Sequence, residues 1–187
     1  MSWLVKISIL LLLCGTAAAT GYVLLTNNSS GDSSSLAGVH NLIERQFAKV
    51  NHMDGDRLSN LSREEIVLID VREISEFSVS HLKGAFQVDP EMPSHAFVEK
   101  YSDISKGKTV IFYCSVGQRS SSFADRVQSA LLSSGAKAAY NLEGGIFAWH
   151  NERRPLFDNS AKPTRYVHPY DPIWGRMVKH QEHTKYQ

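Results

Sequence analysis

Two runs of this chain, Ile66-Val67-Leu68-Ile69 and Thr109-Val110-Ile111-Phe112-Tyr113, are rich in β-branched and aromatic side chains and lack the polar alternation of a strand with one wet face. Such runs read as strands buried on both sides, so each face must be covered. The rest of the chain offers the covers. Val39 to Val50 has helical spacing at Val39, Leu42, Ile43, Phe47 and Val50, and Ile74 to Ser80 suggests a short helix. Pro93 suits a first helical residue ahead of Phe97, Val98 and Tyr101, and Ser120 to Ser134 carries Phe123, Ala124, Val127, Ala130 and Leu131 before Gly135 stops it. Strands alternating with amphipathic helices predict an α/β domain, a parallel sheet with helices on both faces. Ligands of such sheets collect at the carboxyl ends of the strands.

Cys114 stands at that position. It follows the second apolar run and opens the segment Cys114-Ser115-Val116-Gly117-Gln118-Arg119-Ser120, a tight loop between a strand and a helix. A loop of this kind aims several backbone N–H groups at one point, beside the positive end of a helix dipole and a guanidinium. These are conditions that favour a thiolate. Arg119 matters twice, because its charge supports the thiolate and its fork of donors suits an anionic group delivered to the sulfur. Gly117 allows the sharp turn and a close backbone approach to a ligand. A buried core cysteine is the ordinary alternative, and the glycine and arginine in the same loop argue against it.

Length and charge set outer limits. A chain of 187 residues with 42 % hydrophobic content is long enough for one core plus extensions, and a formal charge of +1 leaves no electrostatic footprint for nucleic acid. Of the two cysteines, Cys14 lies in an apolar N-terminal stretch and Cys114 in the globular part, so the domain has no internal disulfide and the thiol has no resolving partner. In an oxidising compartment such a thiol must react with small molecules or with another protein.

Residues 1–26 read as a membrane anchor or signal segment, since no charged side chain lies between Lys6 and Asp32 and Ile7 to Leu25 is almost continuously apolar. A cleaved signal would use Ile7 to Leu13 with Ala17-Ala18-Ala19 as the cleavage site; an uncleaved anchor would continue through Tyr22-Val23-Leu24-Leu25. Resumption of the apolar run after the alanines favours the anchor. Lys6 favours a cytoplasmic N-terminus, which puts the domain on the extracytoplasmic side, with secretion after cleavage as the alternative. Residues 27–37 form a polar, Ser-rich tether.

Four segments appear in an order that resembles the rhodaneses, a sulfurtransferase family: Leu68-Ile69-Asp70-Val71-Arg72-Glu73 with Glu76-Phe77; Ser80-His81-Leu82-Lys83-Gly84-Ala85; the Cys114 to Ser120 loop; and Leu142-Glu143-Gly144-Gly145-Ile146 with Ala148-Trp149. The resemblance covers residues 38–156 and leaves 157–187 as a C-terminal extension. It implies a five-stranded parallel sheet and an active loop from Cys114 to Arg119. It also implies chemistry. The Cys114 thiolate would take the outer sulfur of a donor such as thiosulfate and hold it as a persulfide until cyanide or an acceptor thiol, on a small molecule or a protein, removes it. Arg119 and the loop residues Ser115, Val116, Gly117, Gln118 and Ser120 would bind the donor, with no cofactor and no metal. Phosphatases and arsenate reductases of the same fold have a loop one residue longer, whereas here four residues separate Cys114 from Arg119.

Other residues of these segments have structural readings. Asp70 and Arg72 suit an ion pair at a strand end, His81 and Lys83 flank a turn, and Glu143 precedes a tight Gly144-Gly145 turn near the active loop. In the extension, Tyr166, Tyr170 and Trp174 point to packing on the domain, and His180 and His183 have helical spacing without a third metal ligand in a recognisable motif. A second function class stays open alongside the enzyme: a rhodanese-like module that binds a partner, with Cys114 idle or redox-sensing.

Overall fold

The computed structural model describes residues 35–187. The expected anchor or signal segment and most of the tether lie outside the described residues. Among those described, no helix is long and apolar enough to cross a membrane.

Five parallel strands form one sheet in the order β1-β5-β4-β2-β3, with β1 at His52–Met53, β2 at Ile66–Asp70, β3 at Phe86–Gln87, β4 at Thr109–Tyr113 and β5 at Ala138–Leu142. The two apolar runs are neighbours at its centre, Ile66 opposite Thr109 and Asp70 opposite Tyr113. Every residue of β2 and β4 is buried. Their side chains alternate between two cores. Leu68, Ile111 and Tyr113 pack with α1 (Leu36–Gln46), α2 (Gly55–Ser59) and α6 (Gly145–Asn151), while Val67, Ile69, Val110 and Phe112 pack with α4 (Ser94–Ser105) and α5 (Gln118–Ser133). The fold is therefore α/β, a five-stranded parallel sheet with helices on both faces, as the resemblance implies. The short α3 (Ile74–Val79) leaves the carboxyl end of β2.

Helix limits follow local capping. α1 starts at Leu36, earlier than the apolar spacing suggests, because the Ser35 hydroxyl accepts the Gly38 N–H at 3.1 Å; it ends at Gln46, and a turn carries Val50 into the core. Pro93 occupies the cap position rather than the first turn of α4. α5 begins two residues ahead of Ser120, at Gln118, since Gly117 already turns the chain.

The C-terminal segment is built into the first core. Leu156, Val167 and Val178 are buried with α1, α2 and α6, and Trp174 and Met177 pack against them. β6 (Leu156–Phe157) and β7 (Pro163–Thr164) pair antiparallel. Asn151, at the end of α6, holds the returning chain by donating to the Met177 carbonyl at 2.8 Å and accepting the Lys179 N–H at 2.6 Å.

Candidate active site

Cys114 follows β4 directly and is 1 % exposed. Its carbonyl accepts the N–H of Ile146 at 2.9 Å, and that of Ser115 accepts the N–H of Phe147 at 3.0 Å, so the first turn of α6 grips the loop by its backbone. Only glycine at position 145 permits this. A Cβ there would lie 2.4 Å from the Cys114 carbonyl oxygen and 2.7 Å from that of Ser115. Gly117, at φ +104°, turns the chain into α5, and its N–H donates to Cys114 Sγ at 3.2 Å. The sulfur thus rests on a backbone amide at the start of a 16-residue helix, whose dipole presents its positive end there.

Arg119 is the second residue of α5. Its Nη1 donates to Glu76 Oε2 at 2.8 Å and its Nη2 to Glu76 Oε1 at 2.9 Å, a two-point pair. Ser115 closes the triangle, its hydroxyl accepting from Arg119 Nη2 at 3.1 Å and donating to Glu76 Oε1 at 2.8 Å. Burial alone would raise the Glu76 carboxyl, but the Arg119 hydrogen bonds and charge, with Arg72 and Ser115 behind them, hold it below the usual glutamate value. Burial works against the Arg119 charge as well; Glu76 and then the charge of Cys114 more than offset it and tighten its hold on the proton.

The remaining loop residues are distributed as follows. Val116 is buried in the core with α1 and α6. Gln118 donates to Gln46 Oε1 at 3.1 Å. Ser120 donates to Asn141 Oδ1 at 2.6 Å, and the Asn141 amide nitrogen lies 3.3 Å from the Leu142 carbonyl. Asp70 and Arg72, both fully buried, form an ion pair at 2.6 Å, and Arg72 also donates to the Ser80 carbonyl at 2.7 Å. Glu143 brings its carboxylate to 3.5 Å from His40 Nε2. Among the described residues no group of three or more His, Cys, Asp or Glu side chains is arranged to hold a metal ion.

Four residues that the sequence did not single out for the site take part in it. Glu76 carries the pairing of Arg119, and the Glu73-x-x-Glu76 spacing at the start of α3, a capping box, could have drawn attention to it. Asn141 is a fully buried amide at the end of β5. Tyr170 and His168 come from the C-terminal segment. The Arg119 guanidinium carbon sits 4.6 Å from the centre of the Tyr170 ring. His168 is 7 % exposed; burial lowers its imidazole below the ordinary value, and Glu76, which opposes this, and Arg72 and Arg119, which add to it, are its charged surroundings.

Residues 54–152, more than half of the chain, match the Rhodanese-like domain. The chain belongs to the rhodanese-like family. It is 30 % identical over 109 residues to a sulfurtransferase of Allochromatium vinosum, a match covering 57 % of this chain and 94 % of that protein. It is also 30 % identical over 99 residues to a tRNA uridine(34) hydroxylase of Acinetobacter baumannii, covering 51 % of this chain but 30 % of that one. Among solved structures, a thiosulfate sulfurtransferase from Pseudomonas aeruginosa overlaps 66 % of this chain and 23 % of its own, at 19 % identity and a TM-score of 0.49. The chain thus spans nearly all of the first relative and under a third of the second.

Proposed function

We propose that this protein is a sulfurtransferase that carries sulfane sulfur on Cys114. The observation that carries the reading is the Gly117 N–H on Cys114 Sγ at 3.2 Å, in a loop whose backbone is clamped by α6. A preorganised amide of this kind stabilises negative charge on sulfur without reorganising during the reaction. With thiosulfate as donor, the Cys114 thiolate attacks the outer sulfur, a new S–S bond forms to Sγ, the old S–S bond breaks, and sulfite leaves with the electron pair. Cyanide or an acceptor thiolate then attacks the outer sulfur of the persulfide and returns Cys114 as thiolate. The Allochromatium sulfurtransferase, matched over nearly its full length, supports the same class of reaction.

The test is the intact mass of the full chain before and after thiosulfate, alongside Cys114→Ser. The expected result is a gain of one sulfur atom that cyanide removes and that the variant lacks. No gain in folded, reduced protein, with thiosulfate or with any other sulfane donor, would overturn the reading and favour the partner-binding alternative. The apolar run Ile7 to Leu25 supports an anchored domain on the extracytoplasmic side; cleavage by an external protease in intact cells, followed by carbonate extraction, checks that placement.

A further inference from the structure

The donor expected from the sequence is a dianion, and Arg119 is the cation expected to hold it. In the folded protein that cation is occupied. Both terminal nitrogens of its guanidinium are engaged by Glu76, one of them also by Ser115, and Tyr170 covers its face at 4.6 Å. The other nearby arginine, Arg72, is fully buried and matched by Asp70. The paired charges at this end of the sheet therefore cancel, leaving the loop amides and the α5 dipole to attract an anion.

Tyr170 is held in place rather than resting there. Its φ is +66°, a left-handed conformation that is unfavourable for a non-glycine residue. Both sides of the residue enforce it. The Tyr170 N–H donates to Nδ1 of the buried His168 at 3.0 Å, and on the other side Asp171 ties the next turn, its carboxylate accepting the N–H groups of Ile173 and Trp174 at 2.8 Å each. The residue nevertheless remains 43 % exposed. It offers an aromatic surface beside the sulfur-transfer loop, and it lies beyond the residues that match the family domain.

We propose that Tyr170 is a specificity-determining residue that makes the site favour singly charged, carbon-bearing sulfane donors over dianionic thiosulfate. This rests on the sulfurtransferase reading and names the donor class for the same site. A thiosulfonate, R–SO2–S⁻, fits the description. The Cys114 thiolate attacks its terminal sulfur, the S–S bond breaks, and a sulfinate, R–SO2⁻, leaves with the electron pair, so one persulfide anion and one sulfinate anion replace two starting anions. The R group meets the Tyr170 ring, and the single charge needs no free guanidinium.

The experiment compares benzenethiosulfonate with thiosulfate in the full chain and in Tyr170→Phe and Tyr170→Ala, reading kcat and KM for sulfur transfer to cyanide, with circular dichroism to confirm folding. The wild type is expected to favour benzenethiosulfonate in kcat/KM. Tyr170→Ala should erode that preference roughly three- to ten-fold, through KM for both donors and with kcat little changed. Tyr170→Phe, which keeps the ring, should retain it. Where Tyr170→Ala does not fold, Tyr170→Leu takes its place, with the same erosion expected. A wild type that prefers thiosulfate, or a ratio unmoved in the folded variant, overturns the assignment of Tyr170 while leaving the sulfurtransferase intact. Failure of every donor to load Cys114 in the wild type overturns both.

Discussion

Glu76 shows how much of this site depends on one carboxylate. It neutralises Arg119, receives the Ser115 hydroxyl and accepts the Glu73 N–H at 3.1 Å, all while nearly buried. Glu76→Ala leaves a guanidinium without its partner and is expected to lower unfolding free energy by about 3–5 kcal/mol, measured by urea denaturation. Glu76→Gln should cost less, since the amide keeps part of the hydrogen bonding; equal losses in the two variants would refute the charge argument. Cys114, Gly117 and Arg119 were legible because their chemistry is unusual at any strand end. The role of Glu76 was not, because a carboxylate at a helix start has an ordinary capping use and its charge partner lies 43 residues away. Tyr170 was less legible still. Nothing in its neighbours signals a ring laid on an arginine, since that contact comes from tertiary docking alone.

Among elements, the junction of β4, the loop and α6 carries the geometry of the site. The first turn of α6 can bond the Cys114 and Ser115 carbonyls only because position 145 has no side chain and tolerates φ +57°. Gly145→Ala forces either α6 or the loop to move, since the atoms a Cβ would meet are backbone. The expected outcome is a loss of about 2–5 kcal/mol and a marked slowing of sulfur loading, followed by mass spectrometry. Normal loading with an unchanged melting temperature would show that the grip of α6 is dispensable. The central strands and their covering helices could be read from the chain because β2 and β4 are uninterrupted apolar runs. β5, Ala138-Ala139-Tyr140-Asn141-Leu142, mixes small and polar residues and gives a weaker pattern. β1 and β3 have two residues each and give almost none.

For the whole molecule, the C-terminal segment behaves as part of the domain. Ending the chain at residue 152, where the family match stops, removes Leu156, Val167 and Val178 from the core. Their burial amounts to about 5–9 kcal/mol against a typical stability of about 5–15 kcal/mol. The shortened chain is expected to lose its cooperative melting transition; a sharp transition near that of the full chain would refute this. Three histidines, His52, His150 and His168, have imidazoles lowered from 6.5 chiefly by burial. The unfolded chain takes up these protons first. Stability is therefore fully present above about pH 6.5 and falls as the pH drops through the folded values, a trend checked by thermal melts at stepped pH; rising stability on acidification would contradict it. His150, whose Nε2 lies 3.0 Å from the Arg165 carbonyl, and His168 belong to the seam between domain and C-terminal segment, so that seam is where acid should act first.

Burial of Cys114 has a practical corollary. It is the only cysteine among the described residues, and a solvent-sized reagent finds almost none of it open. In a chain carrying Cys14→Ser, the colour released by a bulky disulfide reagent would count a single event, the parting of the loop around its sulfur. Taken at saturating reagent, that rate is a clock, and no donor as bulky as the reagent can load this sulfur faster than it ticks.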